Sequence, residues 1–155
     1  MGFHHLSTKQ LWQQKQSVYN LGYRIKLLSQ ALNRRLQDVL DPFGLTPFQW
    51  EVLDCLWQED GVPTSTLTKQ LQQLGGTLTG VLDVMEKRGL VYRERDQNDR
   101  RVCRIWLTEA GEQLREIVPS VVNTLKQETF ECLSEQELQL LSGLVDRIIA
   151  HTSQD

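Results

Sequence analysis

One stretch constrains the fold more than any other. Residues 90–107 read LVYRERDQNDRRVCRIWL, with DQNDRR free of apolar side chains between two strand-like runs, about 90–95 and 101–107. In the second run Cys103, Ile105 and Leu107 point one way, and Val102, Arg104 and Trp106 the other. A β-hairpin is therefore expected here, with two aspartates and two adjacent arginines pushed out to its tip.

Everything around this hairpin reads as helix. From about residue 8 to 40, Leu11, Val18, Leu21, Ile25, Leu28, Leu32, Leu36 and Val39 recur at helical spacing, and Asp41-Pro42-Phe43-Gly44 ends that run. Thr46, Pro47 and Gln49 form a capping box for a second helix, reaching about Glu59, with Phe48, Val52, Leu53, Cys55 and Leu56 inward. Gly61 and Pro63 stop it. A short helix follows from Thr64 to Leu71, then a turn at Gly75-Gly76. A further helix runs from about Thr77 to Arg88, with Leu78, Val81, Leu82 and Met85 inward and Gly89 after its end. Beyond the hairpin, Thr108 caps a helix over about 109–131, kinked at Pro119. Ser134 and Glu137 cap a last helix that turns Leu138, Leu141, Leu144, Val145 and Ile148 inward. The first and last helices have few other elements to cover them, which points to burial against a second copy of the chain.

Charge divides along the same lines. The 155-residue chain has a net charge of −3. Between Thr64 and Thr108, however, eight basic residues stand against five acidic ones, a local excess of +3 that leaves −6 for the rest. A basic middle between acidic ends suits contact with a polyanion. The three cysteines, Cys55, Cys103 and Cys132, form no CxxC pair, so neither a zinc site nor any cofactor is expected. An odd cysteine count and an N-terminus, MGFHHLSTKQ, without the pattern of a secretion signal indicate a cytoplasmic protein. No apolar run approaches a membrane span.

Two short helices, a tight turn and then a basic hairpin follow the order of a winged helix-turn-helix. There the second short helix enters the DNA major groove and the wing reaches the neighbouring backbone or minor groove. The fold class is thus mainly α with a small β-hairpin wing, joined to a helical dimerisation lobe from the N- and C-terminal helices. No paired carboxylates, nucleophile elbow, phosphate loop or metal cluster suggests an enzyme.

LTPFQWEVLDCLW, followed by TLTGVLDVMEKRGLVYRERDQNDRRVCRIWLTEAGEQL, resembles the MarR/SlyA family of bacterial transcription regulators. The resemblance is specific over about residues 45–114, in LDxxExxGLV, DRR and LTExG at their relative distances. It implies a homodimer: residues 1–44 supply an N-terminal dimerisation helix, 45–108 a DNA-binding winged helix-turn-helix, and 109–155 the C-terminal dimerisation helices. It also implies a repressor that binds a pseudo-palindromic double-stranded operator and releases it when a small aromatic or phenolic effector binds between the lobes.

By this resemblance Asp99 and Arg101 form the wing pair, the aspartate orienting an arginine that enters the minor groove. Thr77 and Thr79 open the recognition helix, and Ser65 and Thr66 meet a phosphate. Lys87, Arg95 and Arg100 complete the DNA-binding set, with Lys87 and Arg88 open to an alternative reading as complements of the helix dipole. The chain departs from the family in reading Thr77-Leu78-Thr79-Gly80 where T-x-T-R is usual, and in Gly76 where serine is frequent. Trp12, Tyr19, Tyr23, Trp50 and Trp57 are the candidate lining of an effector pocket, against an alternative as core or dimer interface. Cys132 is the candidate redox switch. Two other readings stay open: a winged-helix protein–protein adaptor, and a regulator that senses oxidation through cysteine.

Overall fold

The computed structural model describes residues 20–72 and 75–153, so the expected helical turns before Asn20, with Leu11 and Val18, lie outside the described residues. Helix α1 (Leu21–Leu40) leads through a 3-10 turn, Asp41–Phe43, and Gly44 with φ of 64° into α2 (Pro47–Gln58). The capping box forms as read: the Thr46 side chain accepts from the Gln49 N–H, and the Gln49 side chain accepts from the Thr46 N–H.

Strand β1 (Val62–Pro63), helix α3 (Thr64–Gln70) and helix α4 (Gly75–Lys87) follow, then strands β2 (Val91–Arg95) and β3 (Cys103–Leu107). The three antiparallel strands lie in the order β1-β3-β2. Gly61 and Pro63, read as a helix stop, thus flank and form an edge strand pairing Val62 with Ile105 and Pro63 with Arg104. An edge position suits Pro63, which has no N–H to give. The indole of Trp106 lies against Gly61, where any Cβ would collide with the ring.

Two further expectations are corrected. Gly75-Gly76 is not a turn but the first turn of α4; before it, Leu71 and Gln72 turn the chain, Gln72 at φ of 50°. The helix over 109–131 is broken, not merely kinked. It divides into α5 (Glu109–Gln113), a 3-10 turn Leu114–Glu116 and α6 (Val118–Phe130). Pro119 sits in the first turn of α6, where its missing N–H costs nothing; in a continuous helix its ring would clash with the Arg115 carbonyl. Helix α7 (Glu135–Thr152) starts at the Ser134–Glu137 capping box.

One apolar cluster joins these elements. Leu40 and Leu45, Val52, Leu53, Leu56 and Trp57 of α2, Leu67 of α3, and Leu78, Leu82 and Met85 of α4 meet Val91 and Ile105 of the sheet and Val118 and Val122 of α6. Each fully buried leucine or isoleucine contributes about 1.5–3 kcal/mol. Gly111 is required by close packing: a Cβ there would run into the Leu90 carbonyl. Its own carbonyl accepts the Trp57 indole N–H at 3.1 Å, tying α5 to α2. Helix α1 packs on α6, where Arg35 donates to Thr129 at 3.2 Å.

The stripe of α7 is left partly open among the described residues. Leu138, Leu141, Leu144, Val145 and Ile148, expected inward, are 38–48% exposed. Leu21, Ile25 and Leu28 of α1 are likewise about half exposed.

Candidate nucleic-acid interface

The wing tip is a built structure. The Asp96 carboxylate accepts the backbone N–H groups of Asn98 (2.8 Å) and Asp99 (3.0 Å) with one oxygen and Arg104 Nε (2.5 Å) with the other. Arg104 in turn donates to the Gly61 carbonyl at 2.8 Å. Asp99 does the same for the next arginine: its oxygens accept Arg101 Nε at 3.0 Å and a terminal guanidinium nitrogen at 3.2 Å. The Arg101 side chain is nonetheless 90% exposed. It is held in one orientation yet open to a ligand.

These bonds set the acidities. The Asp96 carboxyl falls from the ordinary 3.8 to about 2, first through its bond from Arg104 and then through the Asp99 and Asn98 N–H groups. Asp99 is lowered by the Arg101 side chain and backbone N–H. A carboxylate whose folded pKa lies below its unfolded value stabilises the fold above the unfolded value; that contribution is lost as pH falls through the folded one. The wing turn is therefore expected to hold down to about pH 4 and open between there and about pH 2. The amide resonances of Asn98 and Asp99, followed by NMR, should report that transition, and Asp96→Asn should remove it.

The basic excess is smaller at the surface than in the sequence. Arg88 donates to the carbonyls of Gly44 and Phe43 and to Gln49 Oε1, which closes the joint between α1 and α2. This bonding adds a structural role for Arg88 that its place at the end of α4 did not suggest. Arg93 is bound to Asp83 (2.7 Å) and Glu86 (2.8 Å) of α4, and Arg104 is held in the wing. Lys69, Lys87, Arg95, Arg100 and Arg101 remain at exposed positions. Among the described residues Arg95 donates to the Arg100 carbonyl, at 3.5 Å.

The other expected contacts lie on α3 and α4. Thr77 and Thr79 are exposed in the first turns of α4, Lys87 in its last turn, and Ser65 (exposed) and Thr66 (half-buried) at the start of α3. Gly80 is exposed, with nothing within 4 Å of where a Cβ would stand.

The aromatic candidates divide. Trp57 is core, with its N–H satisfied. Tyr23 is 61% exposed on α1. Trp12 and Tyr19 lie outside the described residues. Trp50 is half-buried with Lys126 Nζ of α6 5.4 Å from its ring, and its buried Nε1 has no hydrogen-bond partner among the described residues. Cys132 is exposed, whereas burial, then Asp54 and Glu51, push the Cys55 thiol up, away from a reactive thiolate. Among the described residues no group of three or more His, Cys, Asp or Glu could hold a metal ion, and no helix is long and apolar enough to cross a membrane.

The aspartates of the DQNDRR tip do hold arginines, Asp96 taking Arg104 and Asp99 taking Arg101, whereas the role of Arg93 was not anticipated. For Arg93 a signal existed: it shares strand parity with buried Val91, so it falls on the face that should be apolar.

Comparison with known proteins fits this surface. The sequence profile of the MarR family matches residues 45–103. The chain is 29% identical over 133 residues to the HTH-type transcriptional regulator FarR of Neisseria gonorrhoeae, covering 86% of this chain and 90% of that one. It is 31% identical over 119 residues to the organic hydroperoxide resistance transcriptional regulator of Bacillus subtilis, covering 75% and 81%. A crystal structure of a mutant MarR from E. coli complexed with operator DNA superposes with a TM-score of 0.80 at 28% identity, covering 86% of this chain and 96% of that one.

Proposed function

Since the chain belongs to the MarR family of DNA-binding transcriptional regulators, we propose that it acts as a homodimeric repressor of one pseudo-palindromic operator, released by a small aromatic effector. The observation that carries this reading is the wing tip: an arginine 90% exposed yet held by two bonds from one aspartate. Pre-orientation lowers the entropy cost of placing a guanidinium in a narrow groove. Lys69, Lys87, Arg95 and Arg100 supply phosphate contacts, and Ser65 and Thr66 join them from the start of α3. Thr77 and Thr79 face the base edges.

The exposed stripes of α1 and α7 support dimerisation, because contiguous apolar surface of this kind is uncommon on a monomer. On this reading residues 1–44 and 109–155 form the dimer lobe and 45–108 the DNA-binding unit. The unsatisfied Trp50 N–H beneath the Lys126 ammonium supports an effector with an aromatic ring and an anionic or phenolic oxygen.

Fluorescence-anisotropy titration against genomic fragments, at low and physiological salt, tests the proposal. A fragment retained at physiological salt supports the regulator reading; association at low salt alone favours the adaptor.

Gly80 supplies a separate prediction. Gly80→Arg meets no steric obstacle, adds about 0.5–1 kcal/mol of helix propensity and places a cation on the recognition helix. Affinity should rise about tenfold and the salt dependence should steepen by about one phosphate contact. Anisotropy at several salt concentrations checks both.

A further inference from the structure

Arg93 is tied to α4 at three levels. Its guanidinium donates to Asp83 (2.7 Å), Glu86 (2.8 Å) and the Thr79 carbonyl (3.2 Å), while its backbone N–H donates to the second Glu86 oxygen (3.2 Å). Thr79, Asp83 and Glu86 follow one another at four and three residues along one ridge of the helix. The arginine itself belongs to β2, opposite Ile105 in the ladder. A single residue therefore ties the wing to α4 from Thr79 to Glu86, eight of its thirteen residues.

Two features make that span consequential. Helix α4 opens on two glycines, the poorest helix formers after proline. Its direction is set by what holds its sides. It also carries Asp83 and Glu86, two carboxylates that would repel a polyanion, against one lysine of its own, Lys87. Helix and wing must enter neighbouring grooves at once, so an error in their separation weakens both contacts.

Resting on the regulator reading above, we propose that Arg93 is a positioning residue for DNA recognition: it braces the wing against α4 and screens Asp83 and Glu86, without itself touching DNA. The brace is an ion pair to two acceptors and a carbonyl, with the guanidinium side chain only 25% exposed. Lysine, a point charge with one donor centre, reproduces only part of it.

The test is a cycle of Arg93→Ala with the pair Asp83→Asn and Glu86→Gln, plus Arg93→Lys. The probe is a short duplex that the wild-type protein selects from a randomised library. Arg93→Ala should weaken binding about tenfold in the native background and less than about threefold once the carboxylates are neutralised. Arg93→Lys should fall between. The hydroxyl-radical footprint of Arg93→Ala should lose its outer, wing-derived protections first. In the DNA-free protein, amide exchange over Val91–Arg95 should accelerate while α6 is unchanged.

An equal loss in both backgrounds would mean that Arg93 contacts DNA directly and would overturn the proposal. So would native affinity in Arg93→Ala, or protections that fade uniformly with a collapsed thermal transition. If the wild type selects no duplex, the regulator reading fails, and the exchange measurement alone decides whether Arg93 braces the wing.

Discussion

Arg101→Ala should bind a selected duplex about a hundredfold more weakly than the wild type at physiological salt, with unfolding unchanged. Loss of one oriented arginine contact costs about 1–3 kcal/mol, and a dimer on a two-fold operator loses two of them. Stability should not move, because Arg101 is 90% exposed and its side-chain bonds run only to Asp99, two residues away. The slope of log affinity against log salt should flatten by about one unit per wing. Asp99→Asn should give a smaller loss with nearly the same slope: the cation remains, but the carboxylate that holds it by two bonds is gone. This ordering separates orientation from charge. Titrations of both variants at three salt concentrations, with thermal melts beside them, check it. If Arg101→Ala kept full affinity, the wing would not enter DNA and recognition would rest on α4 alone.

The elements that could be read directly are those whose physics is local. Both capping boxes form because the residues that satisfy the first N–H groups of a helix are three apart in sequence. The β3 alternation also holds, with Ile105 fully buried and Cys103 and Leu107 packed beside it. What could not be read depends on partners distant in sequence. Val62–Pro63 is too short to show a period, and only its pairing with Ile105 and Arg104 makes it a strand. Gly75-Gly76 carries the composition of a turn, yet lies in helix, where first-turn N–H groups need no intrahelical partner. Of the eight cations that gave the middle of the chain its excess, Arg88, Arg93 and Arg104 prove to be held by carbonyls and carboxylates. Charge counting could not tell an arginine held by acceptors from an exposed one. Strand parity could have done so for Arg93. No local pattern marks Arg88, whose acceptors at Gly44 and Phe43 are more than forty residues away.

The stripe of α7 leads to the second large effect. Its apolar residues were legible as one face of a helix, but among the described residues they stay 38–48% exposed. If the chain pairs as proposed, Leu141→Glu with Leu144→Glu should leave the protomer folded and convert a dimer to a monomer. Leu141 and Leu144 are 39% and 42% exposed, and neither belongs to the buried core. In a dimer, by contrast, each new carboxylate would be buried without a partner, at a cost of several kcal/mol. Sedimentation equilibrium should show half the mass, with helical content unchanged by circular dichroism. DNA affinity should fall further than for any wing variant, by about 10²–10⁴-fold, because the second half-site loses the effective concentration that the first supplies. Gln139→Glu, about half a helical turn from Leu141, is the control and should change neither mass nor affinity. Wild-type mass and affinity in the double variant would mean that α7 does not form the dimer interface. The half-exposed face of α1, at Leu21, Ile25 and Leu28, would then be the next apolar surface to test for pairing.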